Sequence, residues 1–102
     1  MPDWSTAYDT EMLTVSTTSV GFTATKYRPS AASAREATKV LISVDPTNPI
    51  RYTIDGTTTP TSSVGHYAVG TTFELEGYDN IKNFRAIRQG GVDAIVAASF
   101  LR

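Results

Sequence analysis

Apolar and polar residues alternate with a period of two along most of this chain. That spacing puts successive side chains on opposite faces of an extended strand. In Met12-Leu13-Thr14-Val15-Ser16, Leu13 and Val15 share a face. Val20, Phe22 and Ala24 do so in the next stretch, with Thr23 and Thr25 opposite. These two stretches predict a hairpin, because consecutive strands usually pair. Val40, Ile42 and Val44 then line one side of a third strand, 39–44.

Asp45-Pro46-Thr47-Asn48-Pro49 is a rigid turn: two prolines fix φ, and Asp45 and Asn48 offer side-chain acceptors. It leads into Ile50-Arg51-Tyr52-Thr53-Ile54, where Ile50, Tyr52 and Ile54 face inward and Arg51 and Thr53 outward. Asp55-Gly56 makes the following turn, and Pro60 closes it and bars a central strand there. A short edge strand is predicted through His66 and Ala68, between Gly65 and Gly70. Residues 71–76 alternate cleanly, with Phe73 and Leu75 inward. Residues 77–80 read as a turn, and 81–88 with 92–101 as a final hairpin around Gln89-Gly90-Gly91. Phe84 and Ile87 cannot share a face, so a bulge is expected between them. The last strand is apolar on both sides. Val92, Ala94, Val96, Ala98 and Phe100 form one face and Ile95, Ala97 and Leu101 the other, as expected of a central or covered strand.

About seven strands with turns every 8–12 residues predict an all-β chain folded as a small sandwich or barrel. Residues 1–10 carry Trp4 and Tyr8 without periodicity and read as an N-terminal arm, with the sandwich over 11–102. Such aromatics either fold back on their own domain or anchor on a neighbouring subunit. The Ala-rich segment 31–38 is the one place where a helix could sit, with Ser33 as cap and Glu36 three residues on. It is too short to be stable alone and reads first as an extended loop, with one helical turn the alternative.

Composition narrows the function classes. The 102 residues suit one domain. Nine basic against ten acidic residues leave a net charge of −1, which argues against an electrostatically driven nucleic-acid binder. With no cysteine there is no disulfide framework, thiol nucleophile or Cys-based metal site. The first residues lack the pattern of a signal peptide, and no apolar run reaches the ~20 residues of a membrane span.

The chemistry-bearing residues are sparse. His66 is the single histidine and has no G-x-S-x-G elbow to serve. Asp45, Asp55, Asp79 and Asp93 sit in or beside turns, at spacings foreign to a calcium loop. Glu74 and Glu76 share a strand face, where solvation explains them better than an acid–base pair does. Lys82, Arg85 and Arg88 form a small basic set. Guarding a sheet edge is the common use of such charges, and a phosphate site the alternative.

Two resemblances bear on function. Ile50-Arg51-Tyr52-Thr53-Ile54-Asp55-Gly56-Thr57-Thr58-Thr59-Pro60-Thr61 resembles the strand–turn signature of immunoglobulin-like accessory domains related to the chitobiase C-terminal family. One extra Thr before Pro60 lengthens the loop. The layout of residues 38–102 also resembles short structural proteins of tailed bacteriophages. These carry the same run, a Gly-His step matched by Gly65-His66, and a run matched by Phe84-Arg85-Ala86-Ile87-Arg88.

The resemblance implies an immunoglobulin-like sandwich and a virion role: a capsid decoration (cement) protein, or a neck or tail subunit. Its partners would be other virion proteins, bound in multiple copies. The expected protein-interface residues are Trp4, Tyr8, Ile95 and Leu101. Asp55, Gly56 and Pro60 are expected to be structural turn residues. No enzyme activity, catalytic residue, metal or cofactor is expected. The alternative is a carbohydrate-binding or adhesion module, with Tyr67 and Tyr78 stacking on sugar rings.

Overall fold

A computed structural model of the chain describes residues 7–28 and 36–102. Seven strands form two antiparallel sheets packed as a sandwich. They are β1 (Ala7–Val15), β2 (Lys39–Val44), β3 (Ile50–Thr53), β4 (His66–Ala68), β5 (Thr72–Glu76), β6 (Arg85–Arg88) and β7 (Ala94–Leu101). Two short helices interrupt them, α1 (Ala24–Tyr27) and α2 (Tyr78–Asn83). One sheet runs β1-β7-β2-β5, the other β4-β3-β6.

The alternation read from the sequence builds the core. Val15, Val40, Ile42, Val44, Leu75, Ala94, Val96, Ala98 and Phe100 point inward from the larger sheet. Ile50, Ala68 and Ala86 meet them from the smaller one. Tyr52 stacks on Phe73 with ring centroids 5.0 Å apart, joining the two sheets directly. β7 lies between β1 and β2. Its Ala94, Val96, Ala98 and Phe100 face is buried, and the opposite face, with Ile95 41% exposed, has no layer of described residues over it.

The structure corrects several expectations. Residues 20–25 make no second strand. Val20 forms a single bridge with Ala86, and the chain then turns into α1. β1 takes β7 as its partner and not 20–25, and contact with edge strand β6 ends at the one bridge before the chain turns into α1. Phe22 still reaches the core, stacked on Phe84.

The slip in 81–88 is a change of period and not a bulge. Ile81 ends the buried face of α2, Phe84 follows three residues later, and β6 starts after it. Nor do β6 and β7 form a hairpin, because they lie in different sheets. A further correction concerns Thr53, which is buried because the loop after it folds over the strand. Its Oγ1 donates to the Thr58 carbonyl at 2.7 Å.

Of the residues expected in the arm, 1–6 lie outside the described residues. Residues 7–10 belong to β1, and Ala7 pairs with Leu101. Trp4 and residues 31–35 of the segment 31–38 lie outside the described residues, and 36–38 are not helical. The helices among the described residues are α1 and α2, where the sequence predicts a strand and a turn.

Candidate functional site

The outer face of the four-stranded sheet is the candidate site. Its geometry follows from the registers. Met12 lies beside Ala97, Ala97 beside Ser43, and Ser43 beside Thr72. One row along, Thr10, Ser99, Leu41 and Glu74 are neighbours in the same way. Ile95 stands opposite Thr14, and Leu101 opposite Lys39. Met12 is 63% exposed, Ile95 41% and Leu41 40%. These side chains add nothing to the core, which is formed by their alternate neighbours.

Among the described residues, the charges on this face lie at its margins, the Asp45 carboxylate at one end and Lys39 with two glutamates along one side. Lys39 Nζ lies 3.9 Å from both Glu74 Oε2 and Glu76 Oε1, along the β2–β5 border. Elsewhere the face carries Ser and Thr, paired across strands as Thr10 with Ser99 and Ser43 with Thr72. An apolar, charge-poor centre with a charged margin is the anatomy of a protein–protein contact patch. A shallow depression of about 210 Å³ lies at one end, between Met12, Ile95, Ala97 and the Asp45-Pro46 turn.

Asp45 fixes that end. Its Oδ1 accepts from the backbone N–H groups of Thr47 and Asn48, and Oδ2 accepts from the N–H of Ile95 at 3.2 Å. These donors hold its carboxyl below the ordinary range. The turn between β2 and β3 is thereby tied to the backbone of Ile95.

Among the expected interface residues, Ile95 and Leu101 both stand on this face. Tyr8 has its contacts within its own domain. Its hydroxyl donates to the Lys26 carbonyl at 2.6 Å, and the Arg102 guanidinium lies 4.3 Å from the ring centroid. Burial pushes its phenol pKa up. Trp4 lies outside the described residues.

Met12 and Leu41 were not among the expected residues. The signal for them is present: each is apolar at the parity opposite to a buried set, in a strand that flanks β7.

The turn residues have structural places. Asp55 Oδ1 accepts from the N–H groups of Thr57 and Thr58, and Oδ2 from the Thr58 hydroxyl. The Thr58 bonds, hydroxyl first, bring its pKa down to about 2. Gly56 has φ +78° and packs its Cα against the Asn83 amide. Pro60 is fully buried.

The other chemistry-bearing residues are dispersed. No group of three or more His, Asp or Glu among the described residues is placed to hold a metal ion. His66 is exposed on edge strand β4, its ring 5.2 Å from that of Tyr52. Arg88 pairs with Asp93 at 2.7 Å. Tyr67 is held by Arg51 on the smaller sheet, while Tyr78 packs edge-on against Tyr27 beside α1. The structure does not assemble the two tyrosines into one platform.

No protein-family model matches the chain, and no curated protein or solved structure matches it either.

Proposed function

We propose that this chain is a non-enzymatic structural subunit of a tailed-bacteriophage particle. It holds neighbouring virion proteins through the outer face of its four-stranded sheet. A capsid decoration protein is the leading form of this reading, and a head–tail or tail subunit the other. The observation that carries the binding role is the exposure of Met12, Leu41 and Ile95 across three adjacent strands. The virion assignment rests on the resemblance of residues 38–102.

Size supports a multi-copy arrangement. Four strands about 4.8 Å apart and roughly 20 Å long present a footprint on the order of 400 Å². A standard stable interface takes about 800 Å² from each partner. One docking event on this face is therefore weak, and many simultaneous ones hold firmly because linked contacts multiply.

Mass spectrometry of purified particles tests the assignment. The chain is expected in a fixed ratio to the major capsid or tail protein through gradient purification. Its absence from washed particles would refute the virion reading.

A further inference from the structure

We infer that the loop after β3 and the end of α2 form a binding site for a small oxyanion, a phosphate or sulfate group. The site is distinct from the sheet face. It is a concavity of about 160 Å³ bordered by Ser19, Thr57, Thr58, Thr59, Asn83 and Arg85, together with Gly56. Among the described residues, Arg85 is the one charged residue in that lining. Of the three basic residues grouped in the sequence, it alone borders the concavity: Lys82 lies on α2 and Arg88 pairs with Asp93.

The guanidinium is held in place before any ligand arrives. Nη1 donates to the Phe84 carbonyl at 2.7 Å and to the Lys82 carbonyl at 3.2 Å. It lies so close to Gly21 that a Cβ there would sit 2.3 Å from Nη1. Both carbonyls are at or just beyond the end of α2, so one edge of the fork is anchored on backbone. Among the described residues nothing accepts from Nε or Nη2. A guanidinium with one edge fixed and other donors free is suited to a charge-assisted contact with an anion.

The rest of the lining agrees. The Asn83 amide is positioned by Gly56, whose missing Cβ would meet it at 2.9 Å, and it has no hydrogen-bond partner among the described residues. Ser19, Thr57 and Thr59, which also border the concavity, carry hydroxyls able to donate to an anion there. The nearest carboxylate of this loop, Asp55, is engaged by the N–H groups of Thr57 and Thr58 and by the Thr58 hydroxyl. Among the described residues the lining therefore combines one cation and several neutral polar groups with no acidic group. The volume exceeds that of a bare tetrahedral anion, leaving room for the group that carries it.

The test is a nuclear magnetic resonance titration of the ¹⁵N-labelled full chain with sodium phosphate, sodium sulfate and glucose. Sodium chloride at matched ionic strength is the control. Phosphate and sulfate are expected to give saturable shifts at residues 56–59, the Asn83 side-chain amide and the Arg85 Nε–H, at millimolar concentrations. Arg85→Gln is expected to weaken binding about tenfold and Asn83→Ala about threefold. A linear response equal to that of chloride overturns the site, as does one spread over Lys82 and Arg28. A response to glucose as large as that to phosphate overturns the oxyanion assignment. Should Arg85→Gln unfold the chain, Asn83→Ala and Thr57→Val decide, and unchanged affinity in both refutes the proposal.

Discussion

The ring of Phe22 lies flat on that of Phe84, centroids 4.6 Å apart and planes 10° from parallel. Neither residue belongs to a strand or helix. Phe22 lies in the connection between β1 and α1, and Phe84 in the junction between α2 and β6. Their stack joins two irregular segments to the core, and Phe100 meets Phe22 edge-on at 5.3 Å. Truncation of Phe84, which is fully buried, is expected to cost about 3–5 kcal/mol of stability. The double-mutant cycle with Phe22→Ala is expected to show a coupling of about 0.5–1.5 kcal/mol. Urea unfolding of the four chains measures both quantities, and strict additivity would mean the stack is incidental.

Gly21 and Gly90 differ in what surrounds them. A Cβ on Gly21 would sit 2.6 Å from the Phe84 carbonyl oxygen, a backbone atom that cannot rotate away. A Cβ on Gly90 would meet nothing within 4 Å. Gly21→Ala is expected to destabilise by about 1–3 kcal/mol, the usual range for forcing atoms into filled space. Gly90→Ala is expected to stay within about 0.5 kcal/mol of the parent. Thermal melts of the two variants check the contrast.

Acid is expected to weaken the loop after β3 in a defined window. The Asp55 carboxyl has its pKa lowered from 3.8 to about 2, chiefly by the Thr58 hydroxyl and then by the backbone N–H groups of Thr58 and Thr57. A depressed folded-state pKa means that the carboxylate favours the folded state above its unfolded value. That contribution is lost as pH falls from about 4 to about 2. Asp45, lowered by its own backbone donors, acts in the same direction. Stability against urea, measured from pH 5 to pH 2, should fall through this window, and less steeply in Asp55→Asn. An equal slope in that variant would show that the loop does not draw on the charge.

The layers of this fold were legible in the sequence because burial has a period. Val40, Ile42 and Val44, like Phe73 and Leu75, are spaced by two and fall where that spacing puts them. The place of β7 was half legible: Ile95 and Leu101, opposite Val96 and Phe100, marked a strand with neighbours on both sides. Nothing local says that those neighbours are β1 and β2. Strand order is decided by long-range packing, so nearness in sequence suggested two hairpins that do not exist. Residues 81–88 failed for a different reason. Ile81 and Phe84 are spaced by three, a helical interval too short to stand out beside the strand that follows.

The sheet face was visible in part. Ile95 and Leu101 were evident because their strand is apolar on both sides. Met12 and Leu41 each look like a single stray apolar residue in an alternating strand. Only the register, which places them in rows next to Ala97 and Ser99, joins them into one surface. The oxyanion pocket was less legible still, because Ser19, Thr57, Asn83 and Arg85 come from three separate segments.

If the face is an interface and not part of the core, charge placed on it should abolish docking and spare folding. Ile95 is partly exposed on a central strand, so Ile95→Lys is expected to cost less than about 1 kcal/mol. Leu41→Lys should behave alike, and its circular-dichroism spectrum should match the parent.

The measurement that bears most directly on the central claim is particle occupancy of Ile95→Lys. Particles assembled with this variant, with Tyr67→Ala on the smaller sheet as control, should be purified and their subunit ratios counted by mass spectrometry. Loss of the Ile95→Lys chain from the particles is expected, with retention of Tyr67→Ala and native folding of both. Full occupancy by a folded Ile95→Lys chain would contradict it.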